Sequence, residues 1–183
     1  MSTKQRLKKQ LLTAREYTRS LLTDLATPEQ WTQQVHPEAN HPLWFAGHMA
    51  TADNFFLSTL APEKVVKRPE FERAFGTGSR PTNNPADYPP PDEVLEVMDE
   101  RRRALLEVLD GMEEQDFEKP LPKGAPDFLP DFGAVFEMAI WHEGMHSGQL
   151  SVARRAMGLK PCAKSPEKMP CAEQGKSPAP PAR

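Results

Sequence analysis

The sequence contains little cysteine, no long apolar stretch and little net charge. Its 183 residues include only two cysteines, Cys162 and Cys171, so a disulfide-built secreted fold is excluded. No apolar run approaches the ~20 residues that cross a bilayer, and the first residues lack the apolar segment of a secretory signal. The net charge of −3 argues against a protein that coats nucleic acid. We therefore expect one folded domain in the cytoplasm, with no membrane and no nucleic-acid partner.

Proline is abundant, and its positions divide the chain. The 20 prolines form four clusters, at residues 28–42, 62–91, 120–130 and 161–181. Because a proline inside a helix costs ~3 kcal/mol, the proline-free stretches are predicted to be helices: residues 1–27, 43–61, 92–119 and 131–160. No stretch has the sustained period-two alternation of a strand. The pattern predicts an all-α fold, a four-helix bundle with a long crossover between the second and third helices.

The same pattern predicts the domain organisation. The bundle is expected to span residues 1–160, and residues 161–183 are expected to form a Pro-rich disordered tail. The crossover at residues 62–91 is long enough to cross the bundle or to cover a site. Residues 1–20 carry six basic side chains and one acid, whereas residues 92–118 carry eleven acids and three arginines. Either these are two solvated faces, or the first and third helices are neighbours.

Two of the five histidines, His142 and His146, lie four positions apart on the fourth predicted helix. At 100° per residue they project within about 40° of each other, so both imidazoles can reach one ion. We place them on the side of the helix that faces the bundle. The same side is predicted to hold Val135, Met138, Ala139, Met145, Gln149, Ala153 and Ala156. Buried imidazoles are costly unless their nitrogens are satisfied, and a metal ion satisfies them.

The second predicted helix offers a third ligand, His48, on a face with aromatic and small residues. Three imidazoles from two facing helices make an open metal site, completed by water or substrate. The alternative is that each histidine is a hydrogen-bonded residue of the core. His36 and His41 flank prolines before this helix, and we expect them at the surface or in a capping position.

The segment from His142 to His146 also matches the His-Glu-x-x-His helix of zinc proteases. The further ligand that those enzymes need is missing, because the later metzincin positions hold Gln149 and Val152 and the only later acids fall in the predicted tail. A di-iron carboxylate site would need a second Glu-x-x-His on a helix. The one candidate ends at His41 and lies between two prolines. Both classes of protein are therefore disfavoured.

Two segments resemble the signatures of a known family. Residues 41–49, HPLWFAGHM, resemble its Trp-x-x-Gly-His-Leu signature, and residues 141–149, WHEGMHSGQ, resemble its His-x-x-x-His-x-Gly-Gln signature. The family is the DinB-like (YfiT-like) superfamily, and the resemblance covers roughly residues 3–160. It implies a four-helix bundle with a long crossover, often dimeric, and a divalent metal held by three histidines. On this chain those positions are His48, His142 and His146.

The chemistry implied by the resemblance is less uniform than the site. Relatives include bacillithiol transferases, mycothiol-dependent maleylpyruvate isomerase and metal hydrolases. Iron-dependent sulfoxide synthases are disfavoured, because Gly148 stands where their motif has a glutamate. We predict a thiol S-transferase or a hydrolase of small molecules that uses zinc or nickel, with iron as an alternative, and a low-molecular-weight thiol as candidate cosubstrate. The competing hypothesis is a non-catalytic metal-binding module or a dimeric stress-related one.

Three further residues are assigned to the surroundings of the metal. Glu143, about 60° around the helix from His146, is a candidate proton acceptor or a group that orients a ligand. Gln149 is expected to bond a ligand or to close the helix packing, and Trp44 is expected to line the pocket or pack in the core. A homodimer is expected from the resemblance alone.

Overall fold

The computed structural model describes residues 1–161. Six α-helices follow one another: α1 (Thr3–Leu22), α2 (Pro28–Thr32), α3 (Pro42–Leu60), α4 (Pro69–Phe75), α5 (Pro91–Gly111) and α6 (Phe132–Ala156). Short 3₁₀ turns lie between them at Pro62–Lys64, Pro85–Asp87 and Glu114–Asp116. Residues 1–161 contain no strand, only an isolated bridge between Pro120 and Asp131. The predicted all-α class is confirmed.

The four long helices, α1, α3, α5 and α6, lie within or close to the four proline-free stretches. Helix α5 is shorter than predicted, because it ends at Gly111 and a 3₁₀ turn follows. The prediction misses the two short helices, α2 and α4, so the described helices number six and not four. Both begin with a proline, whose fixed φ suits the first helical turn. A cluster of prolines thus contains helix starts as well as loops.

Helix α4 attaches the crossover to the bundle. Its Phe71 and Phe75 are four positions apart, are buried in the apolar core and stack edge to face with ring centroids 5.2 Å apart. The ring of Phe75 lies directly against Gly47 of α3, where an added Cβ would overlap it. The crossover therefore covers one face of α3, the helix that carries His48.

The long helices pack in a closed arrangement, with α1 and α3 each in contact with both α5 and α6. Opposite charges line the boundary between α1 and α5. Lys8 Nζ lies 2.8 Å from Asp110 Oδ1, and Arg19 pairs with Asp99. The interpretation of the first and third predicted helices as neighbours is confirmed.

Two apolar clusters fill the core, and a charged layer lies between them. Leu21 belongs to one cluster and Leu11 to the other. Between the two clusters each long helix contributes one buried charged side chain. We call these four residues the charge quartet: Arg15, Asp53, Arg102 and Glu143.

The charge quartet determines which side of α6 is buried. Glu143 is fully buried, and the other buried residues of the helix lie around it: Val135, Phe136, Ala139, His146, Ser147, Leu150, Ala153 and Arg154. The predicted buried side is wrong in part, because Met145, Gln149 and Ala156 are exposed. The physical reason is that Glu143 is paired with Arg15 and Arg102, so a carboxylate can occupy the centre of the core-facing side.

Helix α6 ends at Ala156, two residues before Gly158. Gly158 has a φ of 75°, and the following Leu159 donates its N–H to the carbonyl of Arg154. The domain boundary at residue 160 stays a prediction, and the predicted tail falls, from residue 162 onward, outside the described residues. None of the helices in residues 1–161 combines the length and the apolarity that crossing a membrane requires.

Candidate metal centre

Three histidines meet between α3 and α6. His48 comes from α3, and His142 and His146 come from successive turns of α6. One ring nitrogen of each lies within 4.8 Å of the other two. The ring centroids are 4.6 to 5.0 Å apart. The structure thus brings the three predicted ligands together in a group that can hold a metal ion. We call it the histidine cluster.

The crossover fixes the ring of His48. Its Nδ1 lies 2.8 Å from the carbonyl oxygen of Phe75, and since a carbonyl only accepts, Nδ1 carries the proton and donates. In the neutral ring Nε2 then has a free lone pair. Trp44 stacks on the imidazole with centroids 4.5 Å apart, and its Nε1–H donates to Ser79 Oγ. The bare Cα of Gly47 lets Phe75 approach, which explains why glycine precedes the histidine.

Gln149 orients His146 in the same way. His146 Nδ1 lies 2.9 Å from Gln149 Oε1. Asn40 Nδ2 donates to the same oxygen at 3.3 Å, which supports this orientation of the amide. His146 Nδ1 therefore donates, and its Nε2 keeps a lone pair. An outer hydrogen bond of this kind commonly sets the tautomer of histidines that bind metals.

The spacing of the facing nitrogens fits a bound ion. His48 Nε2 lies 3.3 Å from His142 Nε2. Two nitrogens held tetrahedrally at Zn–N distances of ~2.0–2.1 Å would be about 3.4 Å apart. The donor set of three imidazoles suits zinc, nickel and iron alike, so it does not select among them.

Burial keeps the three rings neutral. Burial, together with the neighbouring histidines, lowers the pKa of His142 and of His146 to about 4. Burial also lowers the pKa of His48, although the hydrogen bond to Phe75 acts in the opposite direction. The neutral imidazole is the form that binds metals. The cluster is therefore ready to accept a cation at neutral pH.

A cavity of about 510 Å³ opens onto the histidine cluster. It is lined by His48, Thr51, Ala52, Phe55, Phe56, Glu72, Thr77, Phe128, Met138 and His142. Within the described chain, no further histidine, cysteine or carboxylate joins the three histidines as a ligand group. Three protein ligands beside a cavity are typical of a catalytic zinc site, whereas structural sites are enclosed by four. Another cavity, beside His36, contains none of the cluster.

The other residues predicted for the site do not line the cavity. Trp44 and Gln149 contact two of the histidine rings instead. Arg15 Nε donates to Glu143 Oε1 at 2.8 Å, and Arg102 Nη2 lies 2.7 Å from Glu143 Oε2. Burial alone would raise the pKa of Glu143, but the two guanidinium charges outweigh it and the pKa is lowered. The catalytic assignment of Glu143 stays a prediction.

The two remaining histidines lie apart from the cluster. His41 is the N-cap of α3, where its Nδ1 accepts the N–H of Trp44 at 3.0 Å. The capping role predicted for it is confirmed, although the residue is buried and not at the surface. His36 is exposed.

Sequence reasoning missed three crossover residues that reach the site, Glu72, Phe75 and Thr77. Glu72 lines the cavity, and the carbonyl of Phe75 orients His48. The spacing of Phe71 and Phe75 after Pro69 is a usable signal for a short amphipathic helix. That signal does not predict that α4 packs against α3 beside His48, because the position of α4 depends on the path of the whole crossover.

A helical bundle in which two facing helices carry three histidines beside a cavity defines a class of helical protein with a site that could hold a metal ion. A family model described as the DinB superfamily matches residues 10–150, a range that contains all three histidines. The chain belongs to the DinB superfamily, which confirms the predicted family. A comparison with curated proteins found no significant match.

Proposed function

We propose that this protein is a divalent-metal-dependent enzyme that acts on a small molecule, as a thiol S-transferase or a hydrolase. One observation carries the proposal: three histidine nitrogens converge beside a cavity, and no fourth ligand joins them within residues 1–161. An ion held by three ligands keeps a coordination position for a substrate or water. Membership of the DinB superfamily supports the metal.

The imidazoles of His48, His142 and His146 would hold the ion. When bound, the ion would supply Lewis acidity that lowers the pKa of a thiol or of water into the physiological range. Phe75 and Gln149 hold two of the rings in the tautomer that presents Nε2. The largely apolar walls of the cavity would surround the substrate beside this group.

Glu143 has two roles open to it, proton acceptor and orienting group, and its surroundings support the second. Both carboxylate oxygens face guanidinium groups, those of Arg15 and Arg102, and the side chain has no exposed surface. These ion pairs fix the rotation of α6 about its own axis. Glu143 thereby also sets the direction in which His142 and His146 project. We assign it as a positioning residue for these two histidines.

The test is the metal content of the freshly purified protein beside that of a His142→Ala/His146→Ala variant. We expect about one zinc, nickel or iron ion per chain in the wild type and none in the double variant. The exposed His36→Ala variant is the matched control and should keep its metal. Wild-type protein that holds no metal and takes up neither zinc nor nickel would contradict the proposal. Thiol-transfer and hydrolysis screens follow with the metal that is found.

A second candidate function is a dimeric metal-binding module without catalysis. It is favoured by exposed apolar residues on α6, since Trp141 is 60% and Val152 is 57% exposed. Such residues fit a contact between two copies of the chain, and the homodimer stays a prediction that sedimentation can test. Full metal occupancy without turnover in any screen would favour this module over the enzyme.

A further inference from the structure

The cavity beside the histidine cluster contains one residue that its apolar surroundings do not explain, Glu72. Among the residues that line it in the described chain, Glu72 is the only one with a full charge at neutral pH. It comes from α4, one turn before Phe75, so the helix that orients His48 also carries this carboxylate. Burial raises the pKa of Glu72, which reflects the cost of holding a carboxylate beside apolar walls.

Glu72 has no ion-pair partner within residues 1–161, although basic residues are close in the sequence. The nearby Lys64 and Arg68 pair with acids of α5: Lys64 Nζ lies 2.9 Å from Glu107, and Arg68 Nη2 lies 3.3 Å from Glu100. These two basic side chains of the crossover are thus paired with other acids. The carboxylate in the cavity remains available to a cation that the chain does not supply.

Aromatic side chains form much of the remaining wall. Phe55 and Phe56 come from α3, and Phe128 comes from the loop before α6. Phe55 is 46% and Phe128 is 60% exposed, so both lie where the cavity meets solvent. Aromatic rings bind apolar groups, and their faces attract ammonium ions. A carboxylate next to aromatic rings is a combination that favours an organic amine over an anion.

We propose that the cavity selects small ligands in which a positively charged amine stands beside an apolar group, with Glu72 as the residue that sets the charge preference. The inference rests on the proposed function in taking this cavity as the place of the substrate. It narrows the substrate class of that function from small molecules in general to amine-bearing ones. Glu72 acts here on specificity, and within residues 1–161 it is not part of the ligand group that the three histidines form.

The probes are 2-phenylethylammonium and its neutral isostere 2-phenylethanol, titrated into the full-length protein as purified. Binding is followed by ¹H–¹⁵N NMR through the shifts of cavity residues. We expect wild-type protein to bind the cation about five-fold more tightly than the alcohol. Glu72→Gln should remove this preference. Glu70→Gln is the matched control, because it makes the same charge change on the same helix outside the cavity and should keep the preference.

Two results would overturn the proposal. One is wild-type protein that binds both probes equally or binds neither, and the other is a Glu72→Gln variant that keeps the full preference. Metal content is measured on the same samples. Wild-type protein that contains the metal but shows no charge preference contradicts only the role of Glu72, whereas wild-type protein that lacks metal but keeps the preference contradicts only the metal-dependent enzyme.

Discussion

The bundle contains two buried polar groups of residues, the charge quartet and the histidine cluster, and they differ in how their polar atoms are satisfied. In the quartet, Asp53 accepts two bonds from Arg102 and one from Arg15, and Glu143 pairs with both arginines. Two positive and two negative charges balance. In the cluster, the rings of His48 and His146 donate outward to protein oxygens, while ring nitrogens of the cluster face each other beside a cavity.

The difference indicates which of the two groups could hold a ligand. The charges of the quartet are paired with one another, and every long helix contributes to it, which aligns the four helices. The histidine cluster is a group that could hold a metal ion. Two members of the quartet lie on the helices that carry the histidine cluster, since Asp53 is five positions after His48 and Glu143 is next to His142. The quartet thus holds the two faces that carry the ligands.

The largest effect is expected from breaking the quartet with Asp53→Asn. The substitution keeps the shape of the side chain but leaves Arg15 and Arg102 with one carboxylate between them. Removing one partner of a buried ion pair costs about 3–5 kcal/mol, because the remaining charge is buried without compensation. Urea unfolding of metal-free protein measures the loss.

Two controls make this a comparison between the groups. Asp110→Asn removes the exposed partner of Lys8 and should cost less than about 1 kcal/mol. His142→Ala removes a member of the histidine cluster, and in metal-free protein it should also cost about 1 kcal/mol or less, because its ring is held only by neighbouring rings. Equal losses for Asp53→Asn and His142→Ala would show that the two groups do not differ as described.

The sequence predicts those parts of the fold that depend on a local pattern of residues. The proline-free stretches locate the four long helices, because one proline suffices to interrupt a helix. The start of α2 carries a readable signal as well, since Thr27 and Gln30 form a capping box around Pro28. That signal was hidden by the assumption that a proline cluster is a loop. The same assumption concealed α4.

The histidine cluster could be predicted because two of its members share one helix face, which makes their spacing informative without any knowledge of the fold. The charge quartet could not. Its members Arg15 and Glu143 are 128 positions apart, and Glu143 alone is indistinguishable from a solvated helix residue. Only the assembled bundle brings two arginines to it. The rotation of α6, and with it the exposure of Met145, follows from that pairing and was therefore beyond sequence reasoning.

A smaller effect is expected where the crossover touches the histidine cluster. Gly47→Ala would place a methyl group in the ring of Phe75, and such overpacking costs about 1–3 kcal/mol. Because the carbonyl of Phe75 holds His48, affinity for zinc should fall in parallel. Gly144→Ala on α6 is the matched control, since an added Cβ there meets no atom. Urea unfolding and zinc titration measure both variants.

The two glycine variants should change the stability of the protein in opposite directions. Gly144→Ala should raise stability by about 0.5–1 kcal/mol, because alanine loses less backbone entropy than glycine in a helix, and its zinc affinity should match that of the wild type. A Gly47→Ala variant as stable as Gly144→Ala would contradict the contact between α4 and α3. A destabilised variant with unchanged zinc affinity would instead separate packing of the crossover from orientation of the histidine.

The smallest effect concerns His41, a buried histidine that lies outside the histidine cluster. Burial lowers its pKa to about 4 from the ordinary 6.5, so the folded protein binds this proton less readily than the unfolded chain. The contribution of His41 to stability is therefore fully present above pH 6.5 and falls as the pH is lowered towards 4, with a loss of about 1 kcal/mol between pH 7.5 and 5.5.

His41→Asn keeps an N-cap but has no titrating group, and should lose less stability over this pH range. Urea unfolding of zinc-saturated protein at both pH values tests this, since the cluster contributes equally to both proteins. A stability difference between wild type and variant that does not change with pH would show that His41 does not titrate as its burial requires.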